Sequence, residues 1–184
     1  ALHVNGVLTR LDTRCNGIGG EAAQQLAAAV LGSASLEVFG EVPIKQLRAD
    51  ALTELDLSRK GLGPTEAIVL AKLVEVSSVL TVLGLAGNQI GAEGAKAIGV
   101  AVCVNSVLTR LDTRCNGIGG EAAQQLAAAV LGSASLEVFG EVPIKQLRAD
   151  ALTQPALAGQ AHRPTADTLL SYSVRVRHSR ESAP

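Results

Sequence analysis

The fold is predicted from residues 80–102, whose sequence is LTVLGLAGNQIGAEGAKAIGVAV. Leu83 and Leu85 alternate with small residues, which is the period of two expected of a half-buried strand. Further along, small and apolar residues recur at the spacing that puts them on one helix face, namely Ala95, Ile98, Gly99 and Val102. The intervening NQIG predicts a tight turn, because glycine supplies backbone freedom there. The stretch therefore predicts one strand, one turn and one helix.

The same pattern recurs along the chain. It is found in residues 8–30, LTRLDTRCNGIGGEAAQQLAAAV, and in residues 52–74, LTELDLSRKGLGPTEAIVLAKLV. Units begin near residues 8, 36, 52, 80, 108 and 136, in steps of 28 or 16 residues. Residues 7–53 also return without a difference at residues 107–153, so the duplication copied whole units and kept their phase. Internal repeats of this length predict a stacked solenoid.

Two of the units are only 16 residues long and lack the turn and the full helix of the others. Pro43 and Pro143 are expected to end any strand in these units, because proline cannot donate a backbone hydrogen bond to a neighbouring strand. Each short unit is predicted to form a strand and one short helical turn. Phe39 and Phe139 are expected to fill the space left by the missing helix.

One family has this spacing. The pattern L-x-x-L-x-L-x-x-N-x-I-G-x-x-G-A-x-x-L resembles the leucine-rich repeat of ribonuclease-inhibitor type, which also forms the C-terminal arrays of NOD-like receptors. Its most complete copy here consists of Leu80, Leu83, Leu85, Asn88, Ile90, Gly91, Gly94, Ala95 and Ile98. The resemblance covers roughly residues 1–153, which we expect to form the array. It implies a binding surface on one side of the stack.

The fold class expected is α/β, a right-handed leucine-rich-repeat solenoid shaped as a horseshoe arc. Right-handedness follows from the rule for strand-helix-strand crossovers. Strands pack about 4.8 Å apart and helices about 8–10 Å apart, so the parallel strands should lie on the concave side and the helices on the convex side. Residues 154–184 are expected to form a poorly ordered tail outside the repeats, since Pro155 takes the position of Leu55.

The buried core is predicted from the repeated apolar positions. It comprises Leu8, Leu11, Ile18, Leu26, Leu55, Leu57, Leu62, Leu70, Leu83, Leu85, Ile90, Ile98, Leu111 and Ile118. Three residues depart from the repeat pattern. Thr13 and Thr113 replace an inward leucine and need a hydrogen bond, and Lys60 replaces the asparagine that ties neighbouring turns together in the family.

Composition excludes several classes of function. The net charge of −1 gives no basic excess for nucleic acid or an anionic membrane. No apolar run approaches the roughly 20 residues that span a bilayer. Three cysteines without paired spacing favour a reducing compartment. We therefore expect a cytoplasmic protein with no nucleic-acid or membrane partner.

No enzyme motif is present. The glycines of GIGG at residues 17–20 and GLGP at residues 61–64 complete no phosphate-binding motif and fall at the turn of the repeat. The three histidines, His3, His162 and His178, have no neighbour at metal-ligand spacing. We expect no catalysis, no metal, no cofactor and no small-molecule substrate.

The candidate site is the exposed face of the strands, where alternation points charged side chains outward. These residues are Arg10, Asp12, Arg14, Glu54, Asp56, Arg110, Asp112 and Arg114. One interpretation is a mixed-charge contact patch, with two Arg-Asp-Arg triplets four strands apart on one sheet. The other is a solvated face whose ion pairs contribute little. A second candidate is the outer helix face, where Ile68 and Val69 replace Gln24 and Gln25.

Three functions are compatible with the sequence. The favoured one is a scaffold that binds an unidentified protein partner on its concave face. The alternative is a regulator of catalysis, because the Ran GTPase-activating proteins resemble the same repeat type. Those proteins carry an acidic segment after the repeats, whereas the tail here is rich in arginine, which makes this alternative weaker. The third is an array that has no selected partner.

Overall fold

A computed structural model describes residue 2 and residues 5–147 of the chain. The predicted tail at residues 154–184, and the end of the unit that begins near residue 136, lie outside the described residues. Strands and helices alternate through the described part, as predicted. The strands are β1 (Arg10–Leu11), β2 (Val38–Phe39), β3 (Glu54–Asp56), β4 (Val82–Gly84), β5 (Arg110–Asp112), β6 (Val138–Phe139) and β7 (Val142–Pro143). The helices are α1 (Gly20–Gly32), α2 (Ile44–Arg48), α3 (Pro64–Val76), α4 (Gly91–Val104) and α5 (Gly120–Gly132).

The strands of the later units form one sheet in the order β3-β4-β5-β6-β7. The pairs from β3 to β6 are parallel, which confirms the predicted direction of the strands. Their register follows the 28-residue step, since Leu55 lies opposite Leu83, Leu83 opposite Leu111 and Leu111 opposite Phe139. Residues that are one 28-residue step apart in the sequence therefore lie opposite each other in the sheet.

The short units differ from the prediction in one respect. In the second copy the chain turns back after β6, and β7 pairs antiparallel with it, with Pro143 opposite Val138. Pro143 is the last residue of β7, so the strand ends at this proline as expected, but the reversal of the chain into an antiparallel edge strand was not predicted. In the first copy Phe39 and Val42 form the same contact as an isolated bridge. The predicted short helical turn is α2.

The sheet is interrupted after the first copy. β1 and β2 form a separate two-stranded parallel sheet, and no strand pairing joins β2 to β3 in the described part of the chain. The helices hold the two parts together, since the five-residue α2 leaves α1 in direct contact with α3. In addition, the Gly20 N–H at the start of α1 donates to the Glu93 carboxylate of α4 at 2.8 Å. Because the short unit lacks a full helix, helix packing rather than continuous strand pairing joins the two parts of the molecule.

The core lies between the sheet and the helices. Eight of the predicted core residues are buried: Leu57, Leu62, Leu70, Leu83, Leu85, Ile90, Ile98 and Leu111. The prediction is wrong for six, which are half-buried: Leu8, Leu11, Ile18, Leu26, Leu55 and Ile118. Four of these belong to the first unit, where β1 is the end strand of its sheet, and Leu55 lies on the end strand β3. End positions lose the burial that a neighbouring unit would supply.

The predicted second candidate on the helices is not an exposed patch. Val69 is fully buried and Ile68 is half-buried. The reason is that α3 packs against α1 and α2 on one side and α4 on the other. The equivalent Gln25 of α1 is exposed. Val69 therefore belongs to the core, and the helix face is no longer a candidate site.

Candidate functional site

In each copy of the Arg-Asp-Arg triplet, the second arginine pairs with the aspartate at the end of the strand. The Arg14 guanidinium lies 2.6 Å from the Asp12 carboxylate, and the Arg114 guanidinium lies 2.7 Å from Asp112. Each aspartate also accepts the backbone N–H of the same arginine, at 3.1 Å in the first copy and 3.0 Å in the second. Aspartate commonly accepts a backbone N–H two residues further on in this way. The pairing is therefore local and needs no other part of the molecule.

These hydrogen bonds keep the aspartates ionised. The side-chain and backbone hydrogen bonds from Arg14 lower the pKa of Asp12 to about 2. For Asp112, burial acts to raise the pKa, but the hydrogen bonds from Arg114 outweigh it and the pKa is lowered. The hydrogen bond to its aspartate raises the pKa of each arginine above its usual range. Both pairs are ionised at neutral pH.

The arginine of each pair also forms an ion pair with a glutamate. Glu41 lies 3.3 Å from the Arg14 guanidinium, and Glu141 forms an ion pair with Arg114. Arg14 also donates to the backbone carbonyl of Lys60, which belongs to the next 28-residue unit. Arg14 thus ties the first copy to the following unit at the interruption of the sheet.

Asp56 also accepts hydrogen bonds from a residue close to it in the sequence. Its carboxylate accepts the Ser58 backbone N–H at 2.9 Å. The side-chain and backbone hydrogen bonds from Ser58 lower the pKa of Asp56. On the next strand, Gly84 leaves space for this carboxylate, because a Cβ at Gly84 would lie 2.6 Å from Asp56 Oδ1. A side chain larger than glycine at this position would displace Asp56.

Three charged side chains on the strands remain available. Arg10, Glu54 and Arg110 are exposed, and none of them forms a hydrogen bond or ion pair with any residue that the structure describes. All three occupy the third position of the L-T-x-L motif. Available charges on this face therefore occur at one repeated position.

Valine occupies the equivalent position on the neighbouring strands β4 and β6. In the five-stranded sheet, Glu54 lies opposite Val82, Val82 opposite Arg110, and Arg110 opposite Val138. We call these four residues the charge row. Glu54 and Arg110 are two strands apart, a separation of about 10 Å. The row therefore alternates a charged side chain with a half-exposed apolar one.

The eight predicted site residues thus fall into two groups. Glu54 and Arg110 come together in the charge row. Arg10 forms no ion pair with a described residue, but its charge attracts the Asp12 carboxylate and it lies on the separate sheet. The predicted arrangement of both triplets on one sheet, four strands apart, is wrong because of the interruption between β2 and β3. The other five residues already form hydrogen bonds or ion pairs within the molecule.

Sequence reasoning missed the two glutamates that pair with the arginines. Glu41 and Glu141 follow a glycine that comes directly after the next strand. These glycines, Gly40 and Gly140, allow the arginine to pass, since a Cβ at either would lie 3.3 Å from the arginine Cδ. The recurrence of Phe-Gly-Glu in both short units was the available signal.

Other kinds of site find no support in the described part of the chain. There, no group of three or more histidine, cysteine, aspartate and glutamate residues could hold a metal ion. Cys15, Cys103 and Cys115 are exposed and form no disulfide. No described helix has the length and apolar character needed to cross a membrane.

Comparison with known proteins identifies the repeat. A family model described as leucine-rich repeat matches residues 76–99 and 104–127. Together with the alternating strands and helices, this match shows that the chain contains leucine-rich repeats, as the sequence pattern predicts. No curated protein matches the sequence.

The chain also resembles two solved structures. One is the actin-binding site 2 of leiomodin-1, with 16% identity over 95% of this chain and 89% of that chain, and a TM-score of 0.44. The other is the C-terminal domain of tropomodulin from Caenorhabditis elegans. It has 17% identity over 99% of this chain and 94% of that chain, with a TM-score of 0.44.

Proposed function

We propose that this chain is a protein-binding scaffold and that its partner binds along the strand face, centred on the charge row. The observation that carries the proposal is the presence of exposed charges without a partner, at one repeated position, among charges that are otherwise paired. The paired residues Asp12, Arg14, Asp56, Asp112 and Arg114 surround the contact area and fix its shape. Arg10 extends the area on the first copy.

The available charges favour binding for an energetic reason. An incoming carboxylate can form two hydrogen bonds with the guanidinium of Arg110 without breaking an existing ion pair. The neighbouring valines, Val82 and Val138, add apolar area to the same contact. The partner that fits presents an acidic group toward Arg110 and a basic group toward Glu54, about 10 Å apart. Salt should weaken the attraction, because it screens exposed charges.

The shape we propose is a right-handed arc with the strands on the concave side. The parallel strands β3 to β6, joined by helices, support it through the crossover rule. The closer spacing of strands than of helices supports the direction of the curve. Asn88 supports the ribonuclease-inhibitor type of repeat, also found in NOD-like receptors, because it bonds the backbone of the preceding turn. The free, exposed cysteines agree with a cytoplasmic location.

The test is capture of partners from a cell lysate by the full chain and by matched variants. The double variant Glu54→Arg, Arg110→Glu reverses the charge row while changing no paired side chain. The double variant leaves the net charge unchanged, and Lys96→Glu, on the exposed side of α4, is the control for a charge reversal outside the strand face. We expect a captured protein to be retained by the control and lost by the double variant, with unchanged thermal stability. A protein that binds the double variant as tightly as the parent chain would overturn the strand-face proposal.

Arg10→Glu gives a second comparison inside the same molecule. Arg10 and Arg110 have identical sequence surroundings, but only Arg110 lies in a row with Val82 and Glu54. We expect Arg110→Glu to weaken binding more than Arg10→Glu does. Equal effects would show that the charge row is not the centre of the contact.

A further inference from the structure

The charge row presents one residue on each of four neighbouring strands. Glu54 and Arg110 are exposed, and Val82 and Val138 are half-exposed. These residues lie on consecutive strands of one sheet, in the order β3, β4, β5 and β6. The row therefore offers a partner one side chain about every 4.8 Å in the direction across the strands.

On β4 and β6 the position beside the charge row, two residues further along the strand, is covered. The Asp56 carboxylate lies over Gly84, where a Cβ would be 2.6 Å from Asp56 Oδ1. In the same way the Arg114 side chain lies over Gly140, where a Cβ would be 3.3 Å from the arginine Cδ. A ligand that ran along one of these strands would have to displace charged side chains from their partners. A ligand that runs across the strands, along the charge row, displaces none of them.

An extended peptide laid across the strands does not match the spacing of the row. Side chains on one face of an extended segment recur about every 6.7 Å, so the next such pair is about 13 Å apart. The two charges of the row, Glu54 and Arg110, are about 10 Å apart, which falls between these values. An extended segment therefore cannot oppose both charges with side chains of the same face.

An α-helix does match this spacing. Its rise is about 1.5 Å per residue, so two residues seven positions apart on one face are separated by about 10.5 Å. This is within about 1 Å of the separation between Glu54 and Arg110. Each turn of about 5.4 Å then opposes one strand of the sheet. A side chain of the intermediate turn reaches Val82, and one of the following turn reaches Val138.

We infer that the partner of the charge row is an amphipathic α-helix that lies across the strands. The inference rests on the proposed function and adds the form of the partner. Along the helix, an apolar first residue opposes Val138 and an acidic fourth residue opposes Arg110. An apolar eighth residue then opposes Val82, and a basic eleventh residue opposes Glu54. These four positions lie within about 80° of one another around the helix axis, so they share one face.

The charges also give the direction of the bound helix. The helix macrodipole favours an acidic residue toward the N-terminus and a basic residue toward the C-terminus. Because the acidic residue opposes Arg110 and the basic one opposes Glu54, the N-terminus of the helix lies toward β6. The partner is thus recognised by the order and spacing of its charges as well as by their sign.

The probe is a synthetic helical peptide of this pattern, with leucine at the first and eighth positions, glutamate at the fourth and arginine at the eleventh. The other positions are alanine and glutamine, and a side-chain staple on the opposite face holds the helix. The first control peptide has the arginine moved to the tenth position, which turns it about 100° away. The second control lacks the staple and has proline at the sixth position, which breaks the helix.

Binding to the full chain is measured by fluorescence anisotropy of the labelled peptides. We expect the helical peptide to bind at least about tenfold more tightly than either control, a difference of about 1.4 kcal/mol. If the proline peptide binds as tightly as the helical one, or if none of the three binds, the inference is overturned.

A charge exchange at Arg110 tests the register of the helix. Arg110→Glu should weaken binding of the helical peptide by about tenfold, because an acidic residue would then face another. Replacing the glutamate of the peptide by arginine should restore binding to this variant. A control peptide that keeps the glutamate and carries two added arginines off the contact face has the same net charge and should not restore it. Equal restoration by both peptides would show attraction by net charge alone and would contradict the inference.

Capture from a lysate separates this inference from the proposed function. A captured protein that depends on Glu54 and Arg110, while no helical peptide binds, would overturn the helix and leave the strand-face scaffold in place. A captured protein that binds without either residue would overturn the scaffold proposal itself. Support for both requires a captured protein that the helical peptide displaces and the first control peptide does not.

Discussion

The first copy, residues 7–53, and the second copy, residues 107–153, have one sequence in two surroundings. In the first copy Phe39 is fully buried while Leu11 is half-buried. In the second copy the order is reversed, since Leu111 is 1% exposed while Phe139 is half-buried. The same side chain is thus core or surface according to the unit beside it.

Comparison of the two copies shows that each unit has two sides, which different neighbours bury. The first copy buries its C-terminal side against the unit of residues 52–79, and the residues involved include Ala23, Phe39 and Leu47. The second copy buries its N-terminal side against residues 80–107, through Leu111, Asn116 and Leu126. Stability in a repeat protein is approximately a sum of unit terms and nearest-neighbour terms. The difference between equivalent variants in the two copies therefore isolates the neighbour term.

The largest effect is expected at the phenylalanines. Phe39→Ala should destabilise the protein by about 3–5 kcal/mol, the usual range for a fully buried phenylalanine. Phe139→Ala should cost at least about 1 kcal/mol less, because the half-buried ring loses less transfer free energy. Urea unfolding of the two variants provides the measurement. Equal losses would mean that burial of Phe39 by the following unit adds nothing.

At Leu11 and Leu111 the loss of stability should be larger in the second copy, which is opposite to the phenylalanines. We expect Leu111→Ala to cost about 2–5 kcal/mol and Leu11→Ala to cost clearly less. Two-state fits to the same unfolding curves provide both values. If Leu11→Ala is the more damaging of the two, the assignment of an N-terminal and a C-terminal side is wrong.

The asparagines test the polar part of the neighbour contact. Asn116→Ala removes the bonds to Leu85 and Ile90 and leaves buried backbone groups without a partner, so a loss of about 1–3 kcal/mol is expected. Asn16→Ala removes only bonds within its own exposed turn and should cost under about 1 kcal/mol. Thermal unfolding suffices for the comparison. A loss as large at Asn16 would show that the amide acts within its own unit.

The smallest expected effect is at the cysteines of the turn, where the copies should agree. Cys15 has φ 61° and Cys115 has φ 56°, and both are exposed. A residue other than glycine costs about 1–2 kcal/mol in the left-handed region, and part of this is offset by the greater freedom of glycine in the unfolded chain. Cys15→Gly and Cys115→Gly should each stabilise the protein by under about 1 kcal/mol, to the same extent. Unequal gains in melting temperature would show that the turn depends on neighbours as well.

Local structure could be predicted from the sequence because it depends on short spacings. Leu83 and Leu85 defined a strand, Ala95 and Ile98 defined a helix face, and the 28-residue step gave the parallel register. The interruption between β2 and β3 could not be predicted in this way. It arises because a short unit lets α1 pack directly on α3, which is a tertiary effect that also buries Val69.

For the candidate site the limit is similar. Alternation along the strands placed Glu54 and Arg110 on the exposed face. It could not distinguish Arg110, which is free, from Arg114, which pairs with Asp112 and Glu141. That distinction depends on the turn after the strand, which brings Arg114 back to Asp112, and on Glu141 of the neighbouring unit.

The most direct test of the neighbour effect uses the unaltered protein. Amide exchange at Thr9 and Arg10 is compared by NMR with exchange at Thr109 and Arg110, four donors in two identical sequences. Only the second pair donates to the Thr81 carbonyl. If neighbouring units determine the stability of each copy, Thr109 and Arg110 should exchange at least about 100-fold more slowly, since protection follows the free energy of local opening. Equal exchange rates in the two copies would contradict the account.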